Sequence, residues 1–151
     1  VIRLSTGLRA SMLWNYGLRD LMWLGVIDIY EGQQPSIPDN PPVGKLLARI
    51  TQDGLDFNYG FAQGGLLTTA DTLVSLKHDG NWQLKGRGFG TPGWWRWKWN
   101  GGDDDQLSFF YPRVDGAVGD SLKNLPSQIT PATDIAGIDF KFYFLNGGPP
   151  P

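Results

Sequence analysis

Four of the chain's seven tryptophans fall within six residues, Trp94-Trp95-Arg96-Trp97-Lys98-Trp99. In an extended strand successive side chains point to opposite faces. Trp95, Trp97 and Trp99 therefore share one face, and Trp94, Arg96 and Lys98 share the other. An aromatic side chain buries about 150–250 Å², so three on one face need a substantial cover. Three covers are open: a second sheet of the same chain, a partner subunit, or a ligand with flat apolar faces. Arg96 and Lys98 can make cation–π contacts with Trp94 or reach acidic partners.

The 151 residues suit one domain with a sizeable core, because a chain of this length buries about 68–70% of its unfolded surface. Glycine and proline together number 21 + 11 = 32, which favours short strands and many turns over long helices. A net charge of −2 gives no bulk attraction to phosphates, so nucleic acid is not an expected partner. With no cysteine, disulfide and thiolate chemistry are excluded. The longest apolar run, Leu21 to Ile27, is too short to cross a membrane, and no secretory signal is expected at the N-terminus.

Residues 5–24 read as helix, with Ser5 or Thr6 as cap, Trp14, Leu18, Leu21 and Met22 on one side, and a break near Gly17. From Gly25 the period becomes two. Strands are expected at Val26–Glu31, Lys45–Thr51, around Phe57-Tyr59-Phe61, at Leu73–Lys77, Trp82–Phe89, Gly93–Trp99, Leu107–Tyr111 and Ile138–Phe144. Gln33 to Pro42 carries four prolines and reads as a stiff loop, either crossing the end of a sandwich or reaching a neighbour. Arg113 to Asn124 reads as a polar, glycine-rich connection. The expected fold is mainly β: an antiparallel β-sandwich or jelly roll with a short N-terminal helical segment. Its parts are a helical arm (1–24), a β-sandwich domain (25–146) and a proline-rich tail (147–151).

Motifs suggestive of catalysis lack their partners. Gly119-Asp120-Ser121-Leu122 spells the nucleophile block of GDSL-type esterases, but the only histidine, His78, lies upstream. Gly88-Phe89-Gly90-Thr91-Pro92-Gly93 matches a dinucleotide fingerprint, yet an aromatic strand follows where a helix is needed, so a hairpin turn is expected instead. Asp103-Asp104-Asp105 reads as a solvated acidic turn, with a surface calcium site as the sharper alternative. Asp28 and Asp139 alternate away from the apolar faces, and no acid–base pair stands out. No enzyme activity, cofactor or metal is expected.

Several segments resemble small virion structural proteins of tailed bacteriophages and prophages. They are Arg3-Leu4-Ser5-Thr6-Gly7-Leu8-Arg9, Gly25 to Pro35, Leu46 to Thr51, Gly93-Trp94-Trp95-Arg96 and Pro112 to Gly119. The resemblance implies a non-enzymatic virion component assembled in the host bacterial cytoplasm. The expected role is a capsid decoration (cement) protein on the phage head surface, bridging subunits of the major capsid protein and self-associating, as a trimer. Contacts are expected on residues 3–24 and Pro35–Pro42, with Arg3, Leu4, Arg9, Trp14, Arg19, Pro35, Pro38, Pro41 and Pro42 as the contact residues. Trp95, Trp97 and Trp99 form the core or interface strip. Other readings are a carbohydrate-binding module using Trp94, Trp95, Trp97 or Trp99, and a tail or head–tail subunit.

Overall fold

The computed structural model describes every residue except 15, 60–62, 73, 74 and 144–151. It is mainly β, with two antiparallel sheets packed as a sandwich and two short helices near the N-terminus. Along the chain run β1 (Arg3–Leu4), α1 (Thr6–Trp14), α2 (Leu18–Met22), β2 (Val26–Glu31), β3 (Leu46–Gln52), β4 (Leu67–Thr72) and β5 (Ser75–Asp79). Then follow β6 (Trp82–Gly86), β7 (Pro92–Lys98), β8 (Arg113–Ala117), β9 (Leu122–Lys123), β10 (Asp134–Ile135) and β11 (Asp139–Tyr143). The seven-stranded sheet has the order β1-β8-β7-β2-β3-β6-β10, and the four-stranded sheet β4-β5-β11-β9.

The two sheets meet over aromatic rings. Trp95 and Trp97 are fully buried and face the second sheet's Phe140, which stacks on Trp82 at 4.9 Å. Ile27, Ile29, Ala48, Ile50 and Leu84 complete the inner face of the large sheet, and Leu122 and Phe142 that of the small one. Trp95 finds room because β8 carries Gly116, where a Cβ would overlap the indole ring. Its Nε1 donates to the carbonyls of Ala117 and Asp120.

The helical reading holds with its break at Gly17. Ser5 caps α1: its hydroxyl oxygen accepts from the Leu8 and Arg113 amides and donates to the Tyr111 carbonyl. The 1–24 segment is seated on the sandwich. β1 pairs with β8, and Leu8, Leu18 and Met22 enter the core. Trp14, expected on the packed side, is instead exposed at the end of α1.

Several expected strands differ. Residues 55–58 are not a strand; Phe57 and Tyr59 meet edge to face, and Phe61 lies outside the described residues. Leu107–Tyr111 bends because the Ser108 hydroxyl accepts the Phe110 and Tyr111 amides, replacing a ladder with a local turn. Conversely, the polar 113–124 piece holds β8 and β9; its charges read as loop, but Arg113 and Asp115 are paired inside the protein. The Gly88–Gly93 segment is no hairpin, since β2 and β3 lie between β6 and β7. Its glycines serve close backbone approach: Gly90 bridges Ile129, and Gly93 sits against the Gly32 carbonyl. β11 alternates as expected over Asp139–Tyr143, with Phe144 and the proline-rich tail outside the described residues.

Candidate functional site

The opposite face of β7 decides what the chain can offer. Trp94, Arg96 and Lys98 are as deeply buried as the core tryptophans, under two loops that fold over the outer face of the large sheet. One loop runs from 32 to 45, the other from 99 to 112. Beneath them lies a network of four carboxylates and four cations. Arg96 forks onto Asp115 at 2.8 and 2.8 Å, and Lys98 lies 2.8 Å from Asp28 and 2.7 Å from Asp105. Arg49 forks onto Asp28 at 2.6 and 2.9 Å, and Arg113 onto Asp103 at 2.6 and 2.5 Å. Trp94 is sandwiched at one side, stacked on Tyr30 at 4.6 Å with the Arg96 guanidinium 5.4 Å from its ring centre.

The expectation of a solvated acidic turn at Asp103-Asp104-Asp105 is therefore overturned for two of its three residues. Asp103 is buried on Arg113, and Asp105 turns inward to Lys98, while Asp104 stays exposed. Among the described residues no group of acids or histidine is arranged to hold a metal ion. Asp28 does point away from the apolar face, but that face is covered, not wet.

Protonation follows from this pairing. Burial pushes the Asp28 carboxyl up, but the hydrogen bonds from Arg49 and the Lys98 charge outweigh it and hold the group below 3.8. Burial, reinforced by Asp28 and Asp105, raises the Tyr30 hydroxyl far above its ordinary range. A carboxyl depressed in the folded state contributes stability above its unfolded value, near 4, and loses it as pH falls through the folded value. We expect a ¹³C titration of Asp28 to be centred below 3.8, and the urea midpoint to fall below pH 4 with a shallower slope in Asp28→Asn. A titration centred above 4 would refute this pairing.

Every carboxylate of the network is paired with a cation; mechanically, the network clamps two loops. Arg3 Nη1 donates to the Pro35 carbonyl at 2.7 Å, and Arg113 Nη1 to the Pro38 and Asp39 carbonyls at 3.1 and 3.2 Å. Asp39 in turn accepts the Thr6 amide and hydroxyl at the start of α1. Of the expected contact residues, Arg3, Pro35 and Pro38 are thus brought together by internal bonds, beside half-buried Leu4 and Pro42 and exposed Pro41. Arg9 is exposed and bonded to Thr6; Arg19 lies over Trp23 and donates to the Thr68 carbonyl. Trp95 and Trp97 are core, whereas Trp99 lies past the end of β7, half-buried and 6.3 Å from the Tyr111 ring.

Several large apolar side chains remain outside. Leu13 is 87% exposed, Trp14 80% and Phe110 85%, with Tyr16, Ile37 and Phe109 also open. The Phe110 backbone packs on Gly7 of α1, and the Ser108 amide donates to the Asp39 carbonyl. Trp14, at i+7 from Gly7, lies on the same side of the helix about 10 Å further along. Trp14 was read from sequence; Phe110 was missed because its segment looked like a strand.

Other motif residues are apart or occupied. β11 lies between Ser121, at the start of β9, and His78 on β5, which separates the two backbones by roughly 10 Å. His78 Nδ1 accepts the Phe140 amide. Among the described residues no helix is long and apolar enough to cross a membrane. Comparison with protein-family models, curated proteins and solved structures finds no match. Fold and site therefore define a mainly β, two-sheet protein with an ion-clamped outer face and an exposed aromatic margin.

Proposed function

We propose that the chain is a non-enzymatic structural protein of a tailed-phage virion, and specifically a capsid decoration protein that bridges subunits of the major capsid protein. The observation that carries this reading is the exposed set Leu13, Trp14 and Phe110 beside the clamped Arg3, Pro35 and Pro38. Exposed aromatic side chains serve as anchors in protein–protein contacts and carry most of their energy. The order of the five segments that resemble small phage virion proteins supports the same class. A decoration protein acts through many modest contacts at once, so that displacing one shell subunit also breaks its bridges to neighbours. Self-association as a trimer adds further contacts at a local threefold axis.

A saccharide platform has lost its main rings, because Trp94, Trp95 and Trp97 are enclosed by the chain itself. A tail or head–tail position differs from decoration in copy number, which the molar ratio to the main shell protein in purified particles measures. In the direct test, purified protein is mixed with expanded, undecorated capsids and pelleted. Wild type is expected to co-sediment, and Trp14→Ala/Phe110→Ala to lose at least tenfold in affinity with an unchanged Tm. Failure of the wild type to bind refutes the decoration role.

A further inference from the structure

One row of residues crosses six strands of the large sheet on its outer face. The register aligns Asp115 with Arg96, Arg96 with Asp28, Asp28 with Arg49, Arg49 with Lys85, and Lys85 with Asp134. Signs alternate along the row except at one place, where Arg49 and Lys85 face each other as two cations. Like charges directly opposite on a sheet repel, and Arg87 adds a third cation on the same side. Among the described residues, neither Lys85 nor Arg87 makes an ion pair or a side-chain hydrogen bond.

The three cations surround a concavity of about 20 Å³ that Thr51, Gly54, Leu55, Asp56 and Phe57 complete. Arg49 is held by its two bonds to Asp28 through Nε and Nη2; its Nη1 makes no hydrogen bond among the described residues, and the side chain lines this space. Thr51 lines the same space, and its hydroxyl makes no hydrogen bond among the described residues. The Lys85 stem lies across Gly54, where a Cβ would come within 2.9 Å of Lys85 Cε. Asp56 is the one acid in the wall and pairs with none of the three cations.

We infer that Arg49, Thr51, Lys85 and Arg87 form a binding site for a carboxylate. The free guanidinium edge, the ammonium, the second guanidinium and the hydroxyl supply converging donors of the kind a carboxylate accepts in a charge-assisted manner. The space holds only one or two water-sized atoms, which admits the two oxygens of a carboxylate and excludes a sugar ring or nucleobase. Phe57 offers apolar contact to a short aliphatic stem. The carboxylate comes either from a free small acid or from a glutamate or aspartate side chain of a protein. The site is independent of the virion reading and stands whether or not the chain binds capsids.

The test follows backbone amide shifts while glutarate is added at constant ionic strength, with chloride as control. Saturable shifts at Arg49, Thr51, Gly54 and Arg87 are expected, weakened at least tenfold in Lys85→Ala/Arg87→Ala. That variant keeps its Tm within a few degrees, since both side chains are exposed and unpaired. Equal affinity in the variant, unsaturable shifts, or the same response to chloride would overturn the site. A hexaglutamate peptide that binds more tightly than glutarate assigns the carboxylate to a protein partner; equal or weaker binding assigns it to a free acid.

Discussion

Replacing Phe140 with alanine is expected to lower stability by about 3–5 kcal/mol, the usual cost of deleting a fully buried large aromatic ring. Phe140 projects from the middle of the small sheet into three indoles: Trp82 at 4.9 Å, Trp97 at 5.3 Å and Trp95 at 6.3 Å. Each such aromatic pair adds about 0.5–1.5 kcal/mol beyond buried area. Because a domain of this kind is stable by only about 5–15 kcal/mol, the loss should move the urea midpoint far to the left, with indole fluorescence as the probe. Phe140→Leu, which keeps most of the volume, should lose less than half as much. A Phe140→Ala loss below about 1 kcal/mol, the scale of a tolerated surface change, would show that the sheets are not joined at this ring.

The same ring shows what the sequence made legible. Ile138, Phe140 and Phe142 alternate with Asp139 and Lys141, and alternation against one dry and one wet face is the clearest strand signal there is. Trp95 and Trp97 followed for the same reason. The reading failed where both faces of a strand are covered. On β7 the second face carries Trp94, Arg96 and Lys98, all buried, and nothing local distinguishes a buried lysine from a solvated one. The distinction lies in Asp28 and Asp105, 70 and 7 residues from Lys98, and in Asp115, 19 residues from Arg96, which register and a loop bring in. β8 was hidden likewise, since Arg113-Val114-Asp115-Gly116 looks like a loop until its charges have partners. The aromatic margin was half legible. Trp14 stood out by residue type, but its exposure depends on where α1 ends, and Phe110 depends on a serine-centred turn.

Buried ion pairs are poor sources of net stability, because desolvation offsets most of the attraction. Their value here is positional. Loops rich in glycine and proline, lying across a sheet, would otherwise be held by few apolar contacts. Charged forks fix them at defined points, and the exposed Ile37, Leu107, Phe109 and Phe110 inherit that placement.

Arg113 is the strongest such point, and Arg113→Met is expected to cost about 3–5 kcal/mol. Its guanidinium carries five N–H groups, and five bonds leave it: two to Asp103, and one each to the carbonyls of Pro38, Asp39 and Gln106. Methionine fills much of the space but strands a buried carboxylate and three carbonyls. Arg113→Lys should fail nearly as badly, because a single ammonium cannot fork onto Asp103 while also reaching both loops. The double variant Arg113→Met/Asp103→Asn removes the orphaned charge and should recover part of the loss, giving a coupling energy well above 1 kcal/mol in a thermodynamic cycle. Hydrogen exchange supplies a second readout. The Ser108 amide, bonded to the Asp39 carbonyl at 2.9 Å, should exchange faster in Arg113→Met at denaturant-free conditions, while the Ile27 and Ile50 amides of the central strands change only with global stability. Additive single losses with no coupling, or unchanged Ser108 exchange, would mean that the two loops are placed by their own backbones and Arg113 merely fills space between them.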